Sequence, residues 1–464
     1  MKILFITGGL TTLRRKSNSY QETLMEKIAS RGHQVTVLCM AEVSLRPWIH
    51  WKKSVEKIEI YHLYNGGVYP GVYPQGGVGT RSPLLEVKPS HKLRKIVFQI
   101  IQEVSPDLIS FQSLFGLPLE LLQEIAEGKI PTQLTALDYF SLCPTAHLFP
   151  SDQKPCRLTT AELTCNDCCQ NTVHYSTFWI TYHLDQWVAS LQKNSLLYSP
   201  LCRLRNLFLR FNRFWNRHQA PSPSYSLRRK AAIRALRSLT LIHCISQLQA
   251  DLFQQLAGAL PSLQVLHAHP ASTEKIEPQK ALYRSSSPLK FIALNVHAPY
   301  KGLNLLHSTF DQLQKEGFQF ELHFYGSIPD HILHSPLVHY HGRYQETDLD
   351  QIASEADFCL IPSLWDETLG FVGLEMLSRG VPLIVSQCAG ISEFVKDRET
   401  GMLFNSADSE SLLNILREIL QNKPLRERIF QNILIKDPKL KTFDQHTDEM
   451  EKLFMHLIEK RERL

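Results

Sequence analysis

Short apolar runs alternate with amphipathic segments along almost the whole chain. Runs that predict buried strands include KILFIT near the start, QVTVL from residue 34 and FCLIPSLW over residues 358 to 365. Helix-like segments lie between such runs, for example near residues 19 to 31 and in HKLRKIVFQIIQEV from residue 91. Continuous apolar strands separated by helices are typical of parallel sheets covered on both faces. The pattern therefore predicts a doubly wound α/β fold.

Chain length and one polar break divide this pattern into two domains. The chain has 464 residues, more than one hydrophobic core usually organises. The break lies near residues 268 to 288, a polar stretch rich in proline and serine. We predict a first domain over residues 1–270, a second over 285–442, and a charged helix at 443–464 that crosses back to the first.

The composition is that of a globular protein. Hydrophobic residues make up 43% of the chain and charged residues 20%, which excludes a disordered or fibrous protein. No apolar run reaches the eighteen or more residues of a spanning helix, and MKILFITGG predicts a first core strand without a secretion signal. We therefore expect a cytoplasmic protein.

The most informative motif is DETLGFVGLE, residues 366 to 375. Glu367 and Glu375 flank a glycine-containing turn that is predicted to open a helix. The first turn of a helix has backbone N–H groups without intrahelical partners, so this turn is expected to hold a diphosphate. The predicted contacts are the backbone groups of Gly370, Phe371 and Val372. The two carboxylates then remain to accept hydroxyl groups.

Four ordered matches show which family this region resembles. They are the run at 358–365, the glutamate pair, the segment GVPLIVSQCAGISEFV and the turn TGMLF. Together they resemble the second domain of the retaining GT-B glycosyltransferases, most closely glycosyltransferase family four. The resemblance covers nearly the whole chain and is strongest at residues 290 to 404. It implies two Rossmann-like domains facing a cleft, and sugar transfer from a nucleotide donor with retention and without a catalytic metal.

The resemblance also implies roles for individual residues. Glu367 is expected to contact the donor sugar as a catalytic group, and Glu375 to bind the ribose. Lys301 and Gly302 match a lysine-glycine step whose lysine contacts the donor diphosphate. Electrostatic stabilisation of the departing diphosphate is the physical logic of such a site.

Two further glycine-containing positions are candidate contacts to the donor. Gly342 and Arg343 lie where the family turns towards the nucleotide base, and Gly8 and Gly9 end the first strand. The following loop, TTLRRKSNSY, lacks the glycine pair that is usual in the family, so the backbone is expected to approach a ligand less closely there.

Two other positions depart from the family pattern. In LTALDYFSLCP, Leu137 stands where a histidine is expected, and Asp138 either takes part of its catalytic role or forms a turn. Before Lys301, Asn295 and Val296 replace a glycine and an arginine that would contact phosphate. His297 is a candidate substitute, although a lone histidine is more often structural.

Five of the ten cysteines lie close together in one polar stretch of the first domain. They are Cys143, Cys156, Cys165, Cys168 and Cys169. Disulfides are disfavoured in a cytoplasmic protein, so a structural zinc held by Cys143, Cys156, Cys165 and Cys168 is one hypothesis. Free thiols and redox-sensitive pairing are the alternatives.

Residues 174–240 are strongly basic and rich in aromatic residues. Eleven lysines and arginines face one acidic residue, Asp185. Such a segment either binds an anionic membrane surface or packs on the core with solvated arginines. A nucleic-acid partner is not expected, because no recognised reading module accompanies the segment.

The function that these residues predict is transfer of a sugar from a nucleotide-sugar donor to a saccharide or lipid-linked acceptor, as in polysaccharide or lipopolysaccharide assembly. No cofactor is needed for this chemistry. The altered loop, Leu137 and the missing arginine favour an alternative, a degenerate member that binds without turnover. A nucleotide-sugar epimerase is a second alternative.

Overall fold

The computed structural model describes residues 1–8, 20–44, 48–55, 57–66, 87–149, 155–157, 165, 168, 200–201, 203–204, 206–207, 224–260, 262–273, 288–327, 335–433 and 440–462. Three sequence predictions fall outside these residues. They concern Gly9 with the loop after it, Cys169, and most of the basic segment 174–240.

The described part of the first domain forms one sheet of eight strands. They are Lys2–Thr7 (β1), Gln34–Ser44 (β2), Trp48–Val55 (β3), Ile58–Gly66 (β4), Leu108–Phe111 (β5), Thr132–Ala136 (β6), Leu241–Cys244 (β7) and Leu263–Val265 (β8). The helices around it are Tyr20–Ser30 (α1), His91–Val104 (α2), Leu119–Ala126 (α3), Ser224–Ser238 (α4) and Gln247–Ala257 (α5). A short 3₁₀ helix follows at Ala271–Thr273.

The described part of the second domain forms a sheet of six strands. They are Leu289–Leu294 (β9), Phe320–Tyr325 (β10), Val338–Gly342 (β11), Phe358–Ile361 (β12), Leu383–Ser386 (β13) and Met402–Phe404 (β14). The helices are Leu303–Lys315 (α6), Leu349–Glu355 (α7), Phe371–Leu377 (α8), Ser409–Gln421 (α9), Lys423–Ile433 (α10) and Phe443–Glu462 (α11). Short 3₁₀ helices lie at Pro299–Lys301, Glu346–Asp348 and Gly390–Phe394.

Strand order identifies both domains as Rossmann-like. The second sheet has the order β11-β10-β9-β12-β13-β14, which is 3-2-1-4-5-6 counted along the chain. The first sheet has the order β3-β4-β2-β1-β5-β6-β7-β8. Its strands are parallel except for β3, which pairs antiparallel with β4 at the edge. The predicted doubly wound α/β fold with two Rossmann-like domains is confirmed.

One local prediction was wrong. The apolar run 358–365 is a strand only to Ile361, because proline at the next position has no N–H group to donate to a neighbouring strand. The segment Gly390–Phe394 forms one 3₁₀ stretch of five residues, with Glu393 in its first turn.

The C-terminal helix α11 packs the two domains together. Phe443 and Phe454 belong to a buried cluster that also contains Phe5 and Tyr20 of the first domain. The rings of Phe5 and Phe454 lie 6.1 Å apart, and the Tyr20 hydroxyl is 2.8 Å from His446 Nε2. This shared core fixes the cleft in which the carboxyl ends of the two sheets meet.

Candidate functional site

The candidate site lies where the strand order of the second sheet reverses. Neighbouring β9 and β12 lead to connections on opposite sides of the sheet, and ligands of doubly wound folds bind in the crevice at this point. Lys301 follows β9, and Glu367 follows β12. The fold therefore brings together two residues that are 66 positions apart in sequence.

Gly302 allows the two connections to come together. Its φ is +81°, a left-handed conformation that glycine adopts without strain. A Cβ atom at this position would lie 1.9 Å from the carbonyl oxygen of Pro362, which follows β12. Any other residue would force the turn carrying Lys301 away from the end of β12.

The Glu367 carboxylate binds two donors. Lys301 Nζ donates to one oxygen and Ser363 Oγ to the other. The Lys301 ammonium also lies 5.5 Å from the centre of the Trp365 ring, within reach of a cation–π interaction. The side chain of Glu367 is 10% exposed and that of Lys301 is 27% exposed, so the pair is accessible from the cleft.

Backbone contacts hold Glu367 in place. Its N–H donates to the Cys388 carbonyl over 3.0 Å, and its carbonyl accepts from the Gly390 N–H over 2.9 Å. Gly390 itself is closely enclosed, since a Cβ there would lie 2.5 Å from the Thr368 carbonyl oxygen. The carboxylate is therefore presented from a rigid turn.

The Cys-rich segment of the first domain, which runs from Cys143 to Cys169, contributes an arginine that the sequence did not indicate. Arg157 Nη2 donates to Asp366 Oδ1 over 2.8 Å, and Arg157 Nη1 donates to the other oxygen of the same carboxylate. The Asp366 side chain is only 2% exposed. The pair joins the two domains directly beside Glu367.

The same segment brings His147 to the site, again without a sequence prediction. Its ring centre lies 4.7 Å from that of Tyr300 and 5.2 Å from that of Trp365. His147 Nδ1 donates to the Thr145 carbonyl over 2.5 Å, which leaves Nε2 as the acceptor of a neutral ring. Burial, and then the charge of Lys301, lower the pKa of His147.

The backbone around His147 is in an uncommon conformation. Ala146 and Leu148 have φ values of +63° and +50°, in the left-handed region that non-glycine residues rarely occupy. Residues in this region cluster at functional sites, where the surrounding structure holds them. Hydrogen bonds from Ala146 N to Cys143 O and from Cys156 N to Leu148 O hold this segment.

Two buried polar atoms near these rings have no hydrogen-bond partner within the described residues. They are the indole Nε1 of Trp365 and the hydroxyl of Tyr139. A buried donor without a partner costs about 1–3 kcal/mol, and each such group in a native fold calls for an explanation.

Glu375 lies on α8, and Glu367 lies in the turn that precedes this helix. Ser272 Oγ donates to Glu375 Oε1 over 2.8 Å, across the domain boundary. Burial raises the pKa of this carboxyl, and the Ser272 hydrogen bond and Arg379 act against the rise. Burial, and then the charge of Glu375, raise the pKa of Tyr344, whose hydroxyl accepts from Asn295 Nδ2 over 2.9 Å.

The predicted diphosphate turn opens a short helix. Gly370 caps α8 with a φ of +97°, and α8 has seven residues. The Gly373 N–H donates to the Gly370 carbonyl over 2.9 Å, while Phe371 stacks on Tyr20 at 6.0 Å. Val372 is half-buried. Binding of a phosphate by these N–H groups stays a prediction.

The remaining predicted donor contacts lie at other strand ends. Gly8 follows β1, and a Cβ there would lie 2.6 Å from Phe115 Cβ. Gly342 has a φ of +76° with open space around it, and Arg343 is exposed. His297 is also exposed, and its role as a substitute phosphate contact stays a prediction.

The two departures from the family pattern have packing roles. Val296 is buried in the core of the second domain. Leu137 packs against the core shared by both domains, and its carbonyl accepts from Thr368 Oγ1 over 3.2 Å.

Asp138, beside Leu137, forms a turn. Its Oδ1 accepts from the Phe140 N–H over 2.8 Å. Burial raises the pKa of the Asp138 carboxyl to about 6, against the opposing effects of this hydrogen bond and of Arg228. A contact from Asp138 to substrate stays a prediction.

The cysteine cluster adjoins two buried arginines of α4. Burial lowers the pKa of the Arg229 guanidinium, and thiolate charge at Cys143, Cys156 and Cys165 would oppose this. Cys168 is half-buried, and Cys143 Sγ lies 3.1 Å from Thr145 Oγ1.

Two arginines in the described part of the basic segment have structural roles. Arg228 donates to the Phe140 carbonyl and Arg229 to the Leu142 carbonyl, each over 2.6 Å. These residues hold the cysteine-containing segment and do not face solvent. Among the described residues, no helix combines the length and apolar character required to span a membrane.

Comparison with known proteins identifies the family of the second domain. Residues 275–434 match the family model for glycosyl transferases group 1. Among curated relatives, sulfoquinovosyl transferase SQD2 of Arabidopsis thaliana is 33% identical over 134 residues, which is 28% of this chain and 26% of that protein. D-inositol 3-phosphate glycosyltransferase of Nocardioides sp. is 24% identical over 94 residues, 20% of each chain. The matched regions thus span about a quarter or less of these relatives.

Solved structures show the same fold over the full chain. Sucrose-phosphate synthase from Thermosynechococcus elongatus has a TM-score of 0.62 at 12% identity, covering 99% of this chain and 100% of that one. HepE of Anabaena, in complex with UDP-glucose, has a TM-score of 0.55 at 14% identity, covering 98% and 100%. The second domain thus resembles the group 1 glycosyl transferases over residues 275–434, and the two domains of the chain have the GT-B fold.

Proposed function

We propose that the chain is a glycosyltransferase that moves a sugar from a nucleotide-sugar donor to a saccharide or lipid-linked acceptor, with retention of anomeric configuration. The observation that carries this proposal is the contact of Lys301 and Ser363 with Glu367 at the point where the strand order reverses. A cation, a carboxylate and a hydroxyl group converge there, beside aromatic rings and a cleft between two domains.

Lys301 binds the donor diphosphate in this proposal. An ammonium group has three protons, and one hydrogen bond to Glu367 leaves two for phosphate oxygens. The positive charge stabilises the diphosphate as negative charge develops on it during bond cleavage. The N–H groups of residues 370–372 and the exposed His297 are further phosphate contacts.

Glu367 and Glu375 bind hydroxyl groups at the two ends of the donor. Glu367 contacts the transferred sugar, next to the indole N–H of Trp365. Glu375 binds the ribose, with Ser272 holding its carboxylate from the other domain. Gly342 and Arg343 are the proposed contacts to the base, and Gly8 and Gly9 are the proposed contacts from the first domain.

A uracil base is the first choice for the donor. This choice rests on a protein of similar fold, HepE of Anabaena, whose structure was solved in complex with UDP and with UDP-glucose. Its 14% identity supports the fold and not the substrate, so the base is part of the proposal.

In the proposal, the acceptor hydroxyl attacks the anomeric carbon of the donor sugar on the same face from which the diphosphate leaves, so the anomeric configuration is retained. A leaving-phosphate oxygen takes the proton of the acceptor hydroxyl while the bond to the diphosphate breaks. Asp138 and His147 act from the first domain on the acceptor side. No catalytic metal takes part in this scheme.

The acceptor is a saccharide or a lipid-linked saccharide, as in assembly of a surface polysaccharide or lipopolysaccharide. Two curated relatives are named for lipid acceptors, a phosphatidyl-myo-inositol mannosyltransferase of Mycobacterium leprae and a lipopolysaccharide glucosyltransferase of Escherichia coli. The basic segment 174–240 would provide a peripheral contact with the anionic inner face of the membrane. Flotation with anionic vesicles at low salt tests this contact.

A structural zinc at Cys143, Cys156, Cys165 and Cys168 belongs to the same proposal. Three of these cysteines lie close enough to Arg229 for thiolate charge to act on its guanidinium, and thiolate sulfur is a preferred zinc ligand. The metal would hold the segment that carries His147 and Arg157. Elemental analysis of reduced, folded protein tests it, and absence of zinc would refute it.

Donor turnover tests the proposed activity. Native protein is incubated with UDP-glucose, GDP-mannose and ADP-glucose, with and without saccharide acceptors, and free nucleoside diphosphate and isomerised donor are measured. Release of one nucleoside diphosphate together with a glycosylated acceptor is expected. Donor binding without any release supports the degenerate binding protein, and isomerised donor without transfer supports an epimerase.

A further inference from the structure

One face of the strand pair β10 and β11 is polar, unlike the rest of the second sheet. In β10 the residues Phe320, Leu322 and Phe324 are buried and alternate with half-buried polar residues. The central strands β12 and β13 are buried throughout. Parallel sheets covered on both faces carry apolar residues on both faces, so this polar face does not serve the core. A local departure from the pattern of the fold points to a binding function.

The polar face gathers metal-binding side chains from two strands. Strand register places His323 of β10 directly opposite His339 of β11. Glu321 lies two residues before His323 and therefore on the same face. One ligand atom from each of Glu321, His323 and His339 lies within 4.8 Å of the others. The Glu321 Oε2 and His323 Nε2 atoms are 3.1 Å apart.

A fourth side chain orients the central histidine. His341 Nε2 lies 2.8 Å from His323 Nδ1, and the His341 ring stacks on Tyr325 at 4.4 Å and 8°. When His323 Nδ1 carries the proton of this hydrogen bond, its Nε2 lone pair points towards Glu321 Oε2. Metal-binding histidines commonly have such a partner on the second ring nitrogen, which fixes their tautomer.

We propose that Glu321, His323 and His339 bind a divalent transition-metal ion of the zinc class, with His341 as a positioning residue. Two imidazole nitrogens and one carboxylate oxygen are a ligand set that zinc accepts, with water completing a tetrahedron. Ligand atoms around a tetrahedral zinc are separated by about 3.3 Å, close to the 3.1 Å between Glu321 and His323. Its three ligands, Glu321, His323 and His339, are not among the residues proposed to bind the donor or among the cysteines.

The cluster also has a metal-free arrangement, which the experiment must distinguish. Lys290 Nζ lies 3.2 Å from the same Glu321 oxygen, and His323 Nε2–H can donate to that oxygen. The Lys290 side chain is 37% exposed and can turn to solvent when a metal ion replaces it.

Metal content of variants tests the proposal. Reduced full-length protein is dialysed against Zn²⁺, and bound zinc is measured for the native chain, His323→Ala, His339→Ala and the control His91→Ala, whose histidine is exposed on α2. Native protein and the control are expected to hold one more zinc per chain than either site variant. Replacing His341 by alanine is expected to weaken binding by roughly 10- to 100-fold. Equal zinc content in all four proteins would overturn the proposal.

If the variants do not fold, binding of Co²⁺ to the native chain tests the same proposal. The native chain is treated with a thiol-alkylating reagent, checked for folding by circular dichroism, and titrated with Co²⁺. One bound ion with the visible spectrum of a tetrahedral nitrogen and oxygen site is expected, because the cysteines are blocked. A folded, alkylated chain without such a spectrum would overturn the proposal. Neither readout involves a nucleotide sugar, so the result is independent of the proposed transferase activity.

Discussion

Arg157 of the first domain binds Asp366 of the second through both terminal nitrogens of its guanidinium. Asp366 immediately precedes Glu367, so the cysteine-containing segment is fastened to the residue next to the proposed sugar contact. A bidentate arginine–carboxylate pair fixes geometry as well as charge. Movement of the two domains apart would have to break this pair.

Replacing Arg157 by alanine should destabilise the protein and weaken its response to donor. The Asp366 carboxylate is 2% exposed and would lose its partner, at a cost of about 1–3 kcal/mol. Urea unfolding and nucleotide-induced thermal shift measure the two effects. The matched control is Arg94→Ala, which breaks the partly exposed Arg94–Glu124 pair at a cost of about 0.2–1 kcal/mol. Equal effects of the two substitutions would contradict the proposed fastening role.

Replacing Gly302 by alanine should abolish donor binding. The new Cβ would lie 1.9 Å from the Pro362 carbonyl oxygen, so the turn that carries Lys301 must move. Gly317→Ala is the control, since Gly317 has a similar φ of +86° but open space around it. It should lose only about 1–2 kcal/mol through backbone strain. Thermal shift with UDP compares the two, and a full shift in the Gly302 variant would show that the position of Lys301 is not needed.

Asp138 should make the stability of the protein depend on pH. Burial raises its pKa in the folded state from 3.8 to about 6, so folding favours the protonated form. This contribution to the free energy of unfolding is present below about pH 4 and is lost as pH rises through about 6. Asp138→Asn keeps an oxygen for the Phe140 N–H and removes the titration. Denaturant unfolding should show the variant gaining on the native protein from about pH 4 to about pH 7, and parallel curves would contradict this.

His147 should affect turnover more than donor binding. Its Nε2 can accept a hydrogen bond and lies near Tyr300, Trp365 and Lys301. The proposal places a hydroxyl group of the sugar-accepting substrate there. His147→Phe keeps the ring packing but removes this nitrogen, so the acceptor hydroxyl loses a hydrogen-bond partner and turnover should fall on the order of 10-fold. The thermal shift with UDP should stay close to native. Turnover retained by His147→Phe but lost in His147→Ala would assign the residue a packing role only.

The fold was predictable because its signals are local in sequence. Each buried parallel strand is a short apolar run, and the alternation of strands and helices determines the doubly wound class. The glutamate pair and the lysine-glycine step lie in continuous segments, so the family of the second domain was recognisable. The family model matches residues 275–434, in agreement with that resemblance, and the two Rossmann-like domains are confirmed.

The site was less predictable because it depends on contacts between distant segments. Arg157 and Asp366 are 209 positions apart, and no local pattern pairs them. His147 reaches Trp365 only through two left-handed residues whose conformation their identities do not signal. A usable signal existed in FELHFY, because its alternation of apolar and polar residues does not fit a parallel strand covered on both faces.

A thermal-shift series tests the central claim, a working nucleotide-sugar site at the end of β9 and β12, most directly. UDP, GDP, ADP and their glucose conjugates are added to the native chain, to Glu375→Ala and to the control Glu459→Ala, whose glutamate is exposed on α11. One nucleotide should stabilise the native chain and the control, and this stabilisation should disappear in the Glu375 variant. Absence of stabilisation by every nucleotide in folded native protein would contradict the claim.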